Sequence, residues 1–412
     1  MTISRRLCLQ WSFLLLSLVA VTISAAKDSP KDKYLLFVGT YTGKESKGIY
    51  AYRFDAASSE LTPLGVAADT SNPSFVAIDR SRRFLYAVNE VQKYKGASSG
   101  AVSAFAINPQ TGKLSLLNEV ASRGADPCYI ALDKTGKFVL VANYTGGSVA
   151  VFPIHADGRL GEPSAVLQDI GTLGPVKERQ DAPHSHWIEA SAHNRFVYVS
   201  DLGLDRVLIY RFDATNGTLT RGEAAAAKSG SPDASDFFSA TLAPGTGPRH
   251  AVFSGNGNFM YVLGELDSTV TVFANDARET FRSVQRISAL PAGFSGHNDA
   301  AEIAIHPNGK YLYTSNRGHD SIALFSIDNH TGDSHTIDSH TGTLTLVDHF
   351  PTQGKAPRNF EIDPTGKFLF VANQETNNIV VFRIDPNSGR LTPTGQTLHV
   401  PSPVCLKFMA VE

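Results

Sequence analysis

Phe138-Val-Leu-Val-Ala-Asn143 is the stretch whose reading decides the fold, because its form recurs through the chain. The copies are Phe84-Leu-Tyr-Ala-Val-Asn89, Phe196-Val-Tyr-Val-Ser-Asp201, Phe259-Met-Tyr-Val-Leu-Gly264, Tyr311-Leu-Tyr-Thr-Ser-Asn316 and Phe368-Leu-Phe-Val-Ala-Asn373. A further copy, Tyr34-Leu-Leu-Phe-Val-Gly39, comes first. Each is a run of aromatic and β-branched residues, which suits a β-strand. Turns such as Asp133-Lys-Thr-Gly-Lys137 and Asp363-Pro-Thr-Gly-Lys367 join the run to an apolar strand before it. Successive copies start 50 to 63 residues apart. A period near this length, with several strands per unit, is the signature of a β-propeller.

Two more strands follow each copy, joined by hairpins such as Asn108-Pro-Gln-Thr-Gly-Lys113, His155-Ala-Asp-Gly-Arg159, Asp213-Ala-Thr-Asn-Gly217 and Asp385-Pro-Asn-Ser-Gly-Arg390. Gly late in these turns supplies the positive φ of a tight bulged hairpin. The alanine run from Glu223 to Lys228 is too brief to argue for helices and sits in an insertion. The first unit has a second, third and fourth strand but no first, and Pro403-Val-Cys-Leu-Lys-Phe-Met409 is a first strand with nothing after it. Joining them completes a seventh blade and leaves no open sheet edge. The expected fold is all-β: one domain over 27–412, a seven-bladed β-propeller of four-stranded antiparallel blades, its ring closed by the two ends of the chain.

Residues 1–26 stand outside this pattern. Arg5 and Arg6 precede an apolar stretch from Leu7 to Val21, and Ser24-Ala25-Ala26 offers a cleavage site. Interruption by Gln10, Ser12 and Ser17 argues against a membrane anchor. A cleaved signal peptide and a periplasmic or secreted protein are expected, with the Sec and twin-arginine routes both open. The chain has 37 basic and 39 acidic residues, so no cationic excess is available for nucleic acid or an anionic membrane. Removing the leader leaves a formal charge of −4 and two cysteines, Cys128 and Cys405, in first strands of blades that are not neighbours. A disulfide framework is therefore not expected, nor is an obligatory protein partner.

Loops at one mouth of the central channel carry the residues with chemical uses; the hairpin turns at the other mouth are generic. Ten residues before the aromatic of each second strand stand Ser74, Cys128, His186, Arg249, Ala301 and Arg358. Nine before it stand Phe75, Tyr129, Trp187, His250, Glu302 and Asn359; six after it stand Glu90, Tyr144, Leu202, Glu265, Arg317 and Gln374. Blades three to six thus turn these slots to His, Arg and Glu, and polar groups converging in a concave mouth mark a binding site. Asn89, Asn143, Asn316 and Asn373 also have a plain structural use, capping a turn through the backbone. His184 and His186 lack a third ligand of fixed geometry, so no metal is expected. The stretch Asp328–Gly342 with His330, His335 and His340 is read as a lengthened hairpin. No P-loop, dinucleotide fingerprint or nucleophile elbow occurs, and no cofactor is expected.

The motifs Val38-Gly-Thr-Tyr-Thr42, Pro183-His-Ser-His186, Pro248-Arg-His250, Gly264-Glu-Leu266, Ala301-Glu-Ile303, Asn316-Arg-Gly-His-Asp320 and Pro357-Arg-Asn-Phe360 occur in an order that resembles the seven-bladed propeller lactonase family. That family includes propeller-type 6-phosphogluconolactonases and, as relatives, carboxymuconate-lactonizing enzymes. The resemblance covers residues 34 to 410. It implies a catalytic set of His184 or His186, Arg249, Glu265 and Arg317; the strand slots add His250, Glu302, Asn316, Arg358 and Asn373 as candidates toward the substrate. It also implies a small lactone as substrate, hydrolysed without a metal; the leader peptide departs from the cytosolic setting of a phosphosugar. Lactone hydrolysis needs a base for water, a donor for the oxyanion and a grip on the substrate. His186, His184 or Glu265 is the candidate base, and Arg249 and Arg317 the candidate donors. A cycloisomerase or lyase would use the same residues differently, and a non-catalytic binding propeller is the alternative from another class.

Overall fold

A computed structural model describes residues 32–221, 239–275, 280–328 and 342–411. The leader, the Glu223–Lys228 run and most of the His-rich stretch lie outside the described residues. Seven antiparallel sheets of four strands surround a central channel, and the described residues include no α-helix. Blade one runs Val76–Ile78, Phe84–Asn89, Ala101–Ile107, Leu114–Ala121, and the order repeats to blade six, Pro357–Ile362 through Leu391–His399. Blade seven orders Pro403–Ala410, Lys33–Thr40, Gly48–Asp55 and Glu60–Asp69 from the channel outward. Its closing pair runs antiparallel from Tyr34↔Ala410 to Gly39↔Cys405, so both ends of the chain share one sheet as expected. Cys128 and Cys405 are buried free thiols.

Position in the blade dictates composition. Phe138–Asn143 and Phe368–Asn373 are buried at every residue, because second strands face neighbouring blades on both sides. Outer strands such as Phe281–Ser288 are half-buried or exposed throughout and carry Arg, Ser and Gln. Two features were not read from the repeat. The outer strand of blade three is split into Thr218–Arg221 and Ser239–Thr241, and blade one carries a small extra hairpin, Lys93–Tyr94 with Ala97–Ser98.

Neighbouring blades are locked by the residues that define the repeat. In four blades the aromatic opening the second strand lies against the hairpin glycine of the next blade: Phe84 on Gly158, Phe138 on Gly217, Phe259 on Gly342 and Tyr311 on Gly389. Two residues on, the tyrosine hydroxyl donates to the same glycine's carbonyl, Tyr86 to Gly158 at 3.1 Å, Tyr261 to Gly342 at 2.9 Å and Tyr313 to Gly389 at 2.7 Å. The terminal asparagine then donates to the preceding blade's outgoing chain, Asn143 to Ser122 O and Asn373 to Thr352 O, each at 3.2 Å.

Blade three breaks that last rule with Asp201. One oxygen accepts His184 N at 2.9 Å and Leu204 N at 3.0 Å; the other has no donor and the carboxyl of Asp169 lies beside it. Burial and Asp169 hold Asp201 well above the usual carboxylate range, so this slot favours a protonated acid where four other blades carry an asparagine amide.

Two stability predictions follow from these locks. A Cβ on Gly158 would sit 2.4 Å from the Phe84 ring at φ +86°. Gly158→Ala should therefore destabilise by about 1–3 kcal/mol, the range for overpacking. Gly65→Ala, at φ +81° in open space, should cost less in the same denaturant titration. Asp201 keeps its proton in the fold while the unfolded chain loses it near pH ~3.9. Folding then binds an extra proton above that pH, so this group lowers stability as pH rises. Asp201→Asn restores a donor without that proton, and its melting-temperature advantage over the natural chain should grow from about pH 4 upward; a pH-independent difference would contradict a proton retained on Asp201.

Candidate active site

One irregularity builds the mouth. In blade two Pro127 pairs with Asn143 and Tyr129 with Ala142, so Cys128 is an extra residue in the innermost strand. His186 is the extra residue between Ser185 and Trp187, Arg249 between Pro248 and His250, and Arg358 between Pro357 and Asn359. A β-bulge near a strand's start leaves one residue unpaired and re-aims its side chain. Four such bulges turn Cys128, His186, Arg249 and Arg358 toward one region, while the second strands end nearby in Glu90, Tyr144, Glu265 and Arg317.

A cavity of about 300 Å³ opens there, lined by Tyr41, Glu90, Cys128, Tyr144, Arg179, His186, Glu265, Asp299, Arg317 and Arg358. Glu265 is 4% exposed and is its electrostatic centre. Arg317 Nη2 lies 3.1 Å and Arg249 Nε 2.8 Å from Oε2, and Arg179 Nη2 hydrogen-bonds Oε1. The Arg249 Nε–H points off the oxygen and makes no hydrogen bond, so that contact is purely ionic. Burial by itself would push the Glu265 carboxyl up; Arg317, Arg249 and Arg179 more than reverse this and hold it down to about 2. Arg317 is fixed further by Asp299 O at 3.2 Å, and Arg179 Nη1 reaches Asp299 Oδ1 at 3.3 Å.

Arg358 is different. It lies over the Tyr41 ring at 5.3 Å, and among the described residues no carboxylate comes within ion-pair distance of it. The other arginines of the group are committed to Glu265; this one remains to meet an anion or a carbonyl.

His186 and His184 part company. His186 is on the cavity wall, 4% exposed, and its Nδ1 is buried with no partner, so only Nε2 is open to an occupant. Burial, Arg249 and His250 hold its pKa well below 6.5, and the ring is neutral. His184 stacks on Tyr144 at 4.6 Å and is pinned by Tyr144 O at 3.1 Å and Asp181 Oδ1 at 3.0 Å. Both its nitrogens face acceptors away from the cavity.

Four other expected residues are placed beneath or beside the cavity. Arg249 Nη1 faces His250 Nε2 at 3.3 Å, and His250 Nδ1 donates to Glu302 Oε1 at 2.9 Å. Glu302 Oε2 accepts Asn359 Nδ2 at 2.5 Å, which closes a buried network under the mouth. Burial brings His250 down to about 4, so it is neutral with its proton on Nδ1. Asn316 Nδ2 donates to Ala289 O at 2.9 Å, and Asn373 serves the same inter-blade role. Of the catalytic set, His186, Glu265 and Arg317 line the cavity, with Arg249 directly below and His184 outside.

Sequence reading missed Arg179, Glu90, Tyr41, Tyr144 and Asp299. Arg179 comes from a non-repeating loop held by Gln180, whose side chain bonds Leu202 O at 2.9 Å and Val176 N at 3.0 Å. Glu90 and Tyr144 stood in the strand-end slot that supplied Glu265 and Arg317, so that signal was available. The opposite face holds a larger hollow of about 720 Å³ between blades three and four, walled by Lys134, Glu189, His193, Arg195 and Asn256. It lacks the convergent charge of the mouth. Among the described residues, no three His, Cys, Asp or Glu side chains gather to hold a metal ion.

Known proteins agree with this architecture. The family model for the lactonases with a seven-bladed β-propeller matches residues 35–408. A 6-phosphogluconolactonase of Bacillus subtilis is 36% identical over 92% of this chain and 99% of its own length. One from Formosa agariphila is 35% identical over 89% of this chain and 96% of its own. The solved structure of a periplasmic gluconolactonase from Pseudomonas aeruginosa superposes with TM-score 0.81 at 34% identity, covering 92% of this chain and all of that one. The chain belongs to the seven-bladed β-propeller lactonase family.

Proposed function

We propose that this lactonase hydrolyses a sugar lactone of the gluconolactone type outside the cytoplasm, at the cavity around Glu265. The observation that carries the reading is the division of labour among the arginines: Arg179, Arg249 and Arg317 are held on one ionised carboxylate, and Arg358 has none. As water adds to a lactone carbonyl, negative charge gathers on the oxygen. Guanidinium groups already fixed in place stabilise that charge without reorganising. Arg317 is the donor for the oxyanion, since it reaches the cavity and is fixed from behind. Arg358 grips the substrate. Arg249 acts through Glu265 from below and is a positioning residue.

Glu265 at about 2 is far too weak a base to take a proton from water, so it orients the arginines. His186 also lacks the arrangement of a base. A histidine that accepts a proton at Nε2 carries one on Nδ1, and that proton normally has an acceptor; here Nδ1 has none. The proton belongs on Nε2, where His186 donates to a substrate oxygen.

The binding-propeller alternative finds less support. The large exposed apolar residues Leu116, Val166 and Val347 are scattered over the outer strands of three different blades and form no common patch at the mouth. The Pseudomonas relative is named a periplasmic gluconolactonase, which fits the leader read at residues 1–26 and favours an unphosphorylated substrate.

Two experiments test these assignments. Arg317→Ala should lower kcat on the order of 10²–10³-fold, the cost of losing an oxyanion donor, whereas Arg358→Ala should mainly raise KM. Both variants must keep the melting transition, and full activity in both would exclude the site. Mature protein sequenced from its host should begin near Lys27 and, without added metal, turn over glucono-1,5-lactone faster than its 6-phosphate. A retained Met1 or the reverse preference would restore the phosphosugar substrate.

A further inference from the structure

The mouth holds a second carboxylate whose surroundings are the reverse of Glu265's. Glu90 follows Asn89 at the end of blade one's second strand, in the slot that Glu265 fills three blades on. It lines the same cavity. Its two oxygens take the Tyr41 hydroxyl, at 2.9 and 3.0 Å, and the Ser74 side chain stands close enough to help hold the ionised form. An ionised carboxylate offers about four lone-pair sites, so accepting capacity is left over on a group that borders the cavity. Among the described residues, no cation lies within ion-pair distance of Glu90. Its charged and titratable neighbours are Arg358 from blade six, Tyr41 from blade seven, and Asp126 and Cys128 from blade two, with Ser74 beside it. Glu90 also borders a recess of about 10 Å³ walled by Ser74, Cys128, Arg249, His250 and Arg358. That is the smallest space that holds one water.

We propose that Glu90 is the general base that activates water for lactone opening, an inference that rests on the lactonase reading above. Glu90 takes one proton as the water oxygen bonds to the carbonyl carbon, and the carbonyl electrons move onto the oxygen held by Arg317. When the tetrahedral intermediate collapses, the bond from that carbon to the ring oxygen breaks. Glu90 returns its proton to the departing ring oxygen. The product is a hydroxy acid whose carboxyl proton passes to solvent, and Glu90 is again ionised.

Electrostatics agree with this geometry. Burial raises Glu90 above the usual carboxylate range, with Arg358, Ser74 and Tyr41 only partly offsetting it. One cavity therefore holds two carboxyl groups driven apart, Glu265 down and Glu90 up. Such a separation marks which group exchanges protons and which holds fixed charge.

Glu90→Gln separates catalysis from structure, because a glutamine carbonyl still accepts the Tyr41 hydroxyl. Assayed on glucono-1,5-lactone with the spontaneous rate subtracted, this variant should lose on the order of 10²–10⁴ in kcat. Its KM and melting temperature should stay close to those of the natural protein. In the natural protein kcat/KM should rise with pH as Glu90 ionises, with that limb above the ordinary glutamate value; His186→Gln should keep the limb and Glu90→Gln should lose it. Added formate should restore part of the rate of Glu90→Ala. An active natural protein with a Glu90→Gln variant of similar kcat, or a limb that disappears with His186 instead, overturns the role of Glu90 alone. A natural protein that opens no lactone overturns both this inference and the reading beneath it.

Discussion

The charged mouth of the channel depends on one backbone device, the extra residue near the start of the innermost strands. A regular four-stranded blade would pair its first strand to the end and point alternate side chains at neighbouring blades. The bulges at Cys128, His186, Arg249 and Arg358 leave those four residues out of the ladder and turn their side chains toward the mouth. Everything outside this layer serves to hold the strands in register. Aromatic rings pressed on hairpin glycines, tyrosine hydroxyls on their carbonyls and asparagines on the preceding blade fix one blade to the next at most of the junctions. Closure by Pro403–Ala410 passes the same constraint around the ring.

Placing charge in this layer is expensive, and the arrangement shows how the cost is offset. A carboxylate as buried as Glu265 would by itself be protonated. Three guanidinium groups reverse that, and removing one partner of such a buried set typically costs about 3–5 kcal/mol. The cluster is therefore a poor source of stability and a good source of fixed geometry. Its dipoles and charges are set before substrate arrives, which is the condition for strong stabilisation of a developing oxyanion.

How much of this could be read in the amino-acid sequence follows from its repeat. The period exposed the blades, the odd strands at each end exposed the closure, and the slot counts placed His186, Glu265, Arg317 and Arg358 at one mouth. Register counting says where a residue sits along a strand, not how deep its side chain reaches. His250 and Glu302 therefore looked like site residues, although their mutual bond keeps them under the cavity floor. His184 and His186 could not be told apart until Tyr144 and Asp181 were seen to hold the first. Arg179 was invisible because its loop belongs to no repeat, and its partner Glu265 is 86 residues away in the chain.

Seven related blades offer seven nearly equivalent slots, and function arises from the ways in which they differ. Glu90 and Glu265 occupy the same slot three blades apart, which in a ring of seven sets them nearly across the mouth from each other. Backbone position gives them the same start; neighbours give them opposite roles. Around Glu265 stand Arg179, Arg249 and Arg317, and it stays charged at any working pH. Around Glu90 stand a tyrosine hydroxyl and a guanidinium too distant to pair with it, and it keeps the capacity to exchange a proton. A lactonase needs both properties at once, fixed positive charge for the carbonyl and a free base for water. Were all the arginines shared evenly, both carboxylates would be locked as anions and neither would be a useful base. Concentrating three of them on Glu265 is what leaves Glu90 available, so the electrostatic centre and the proton acceptor are two consequences of one uneven distribution of charge around the ring.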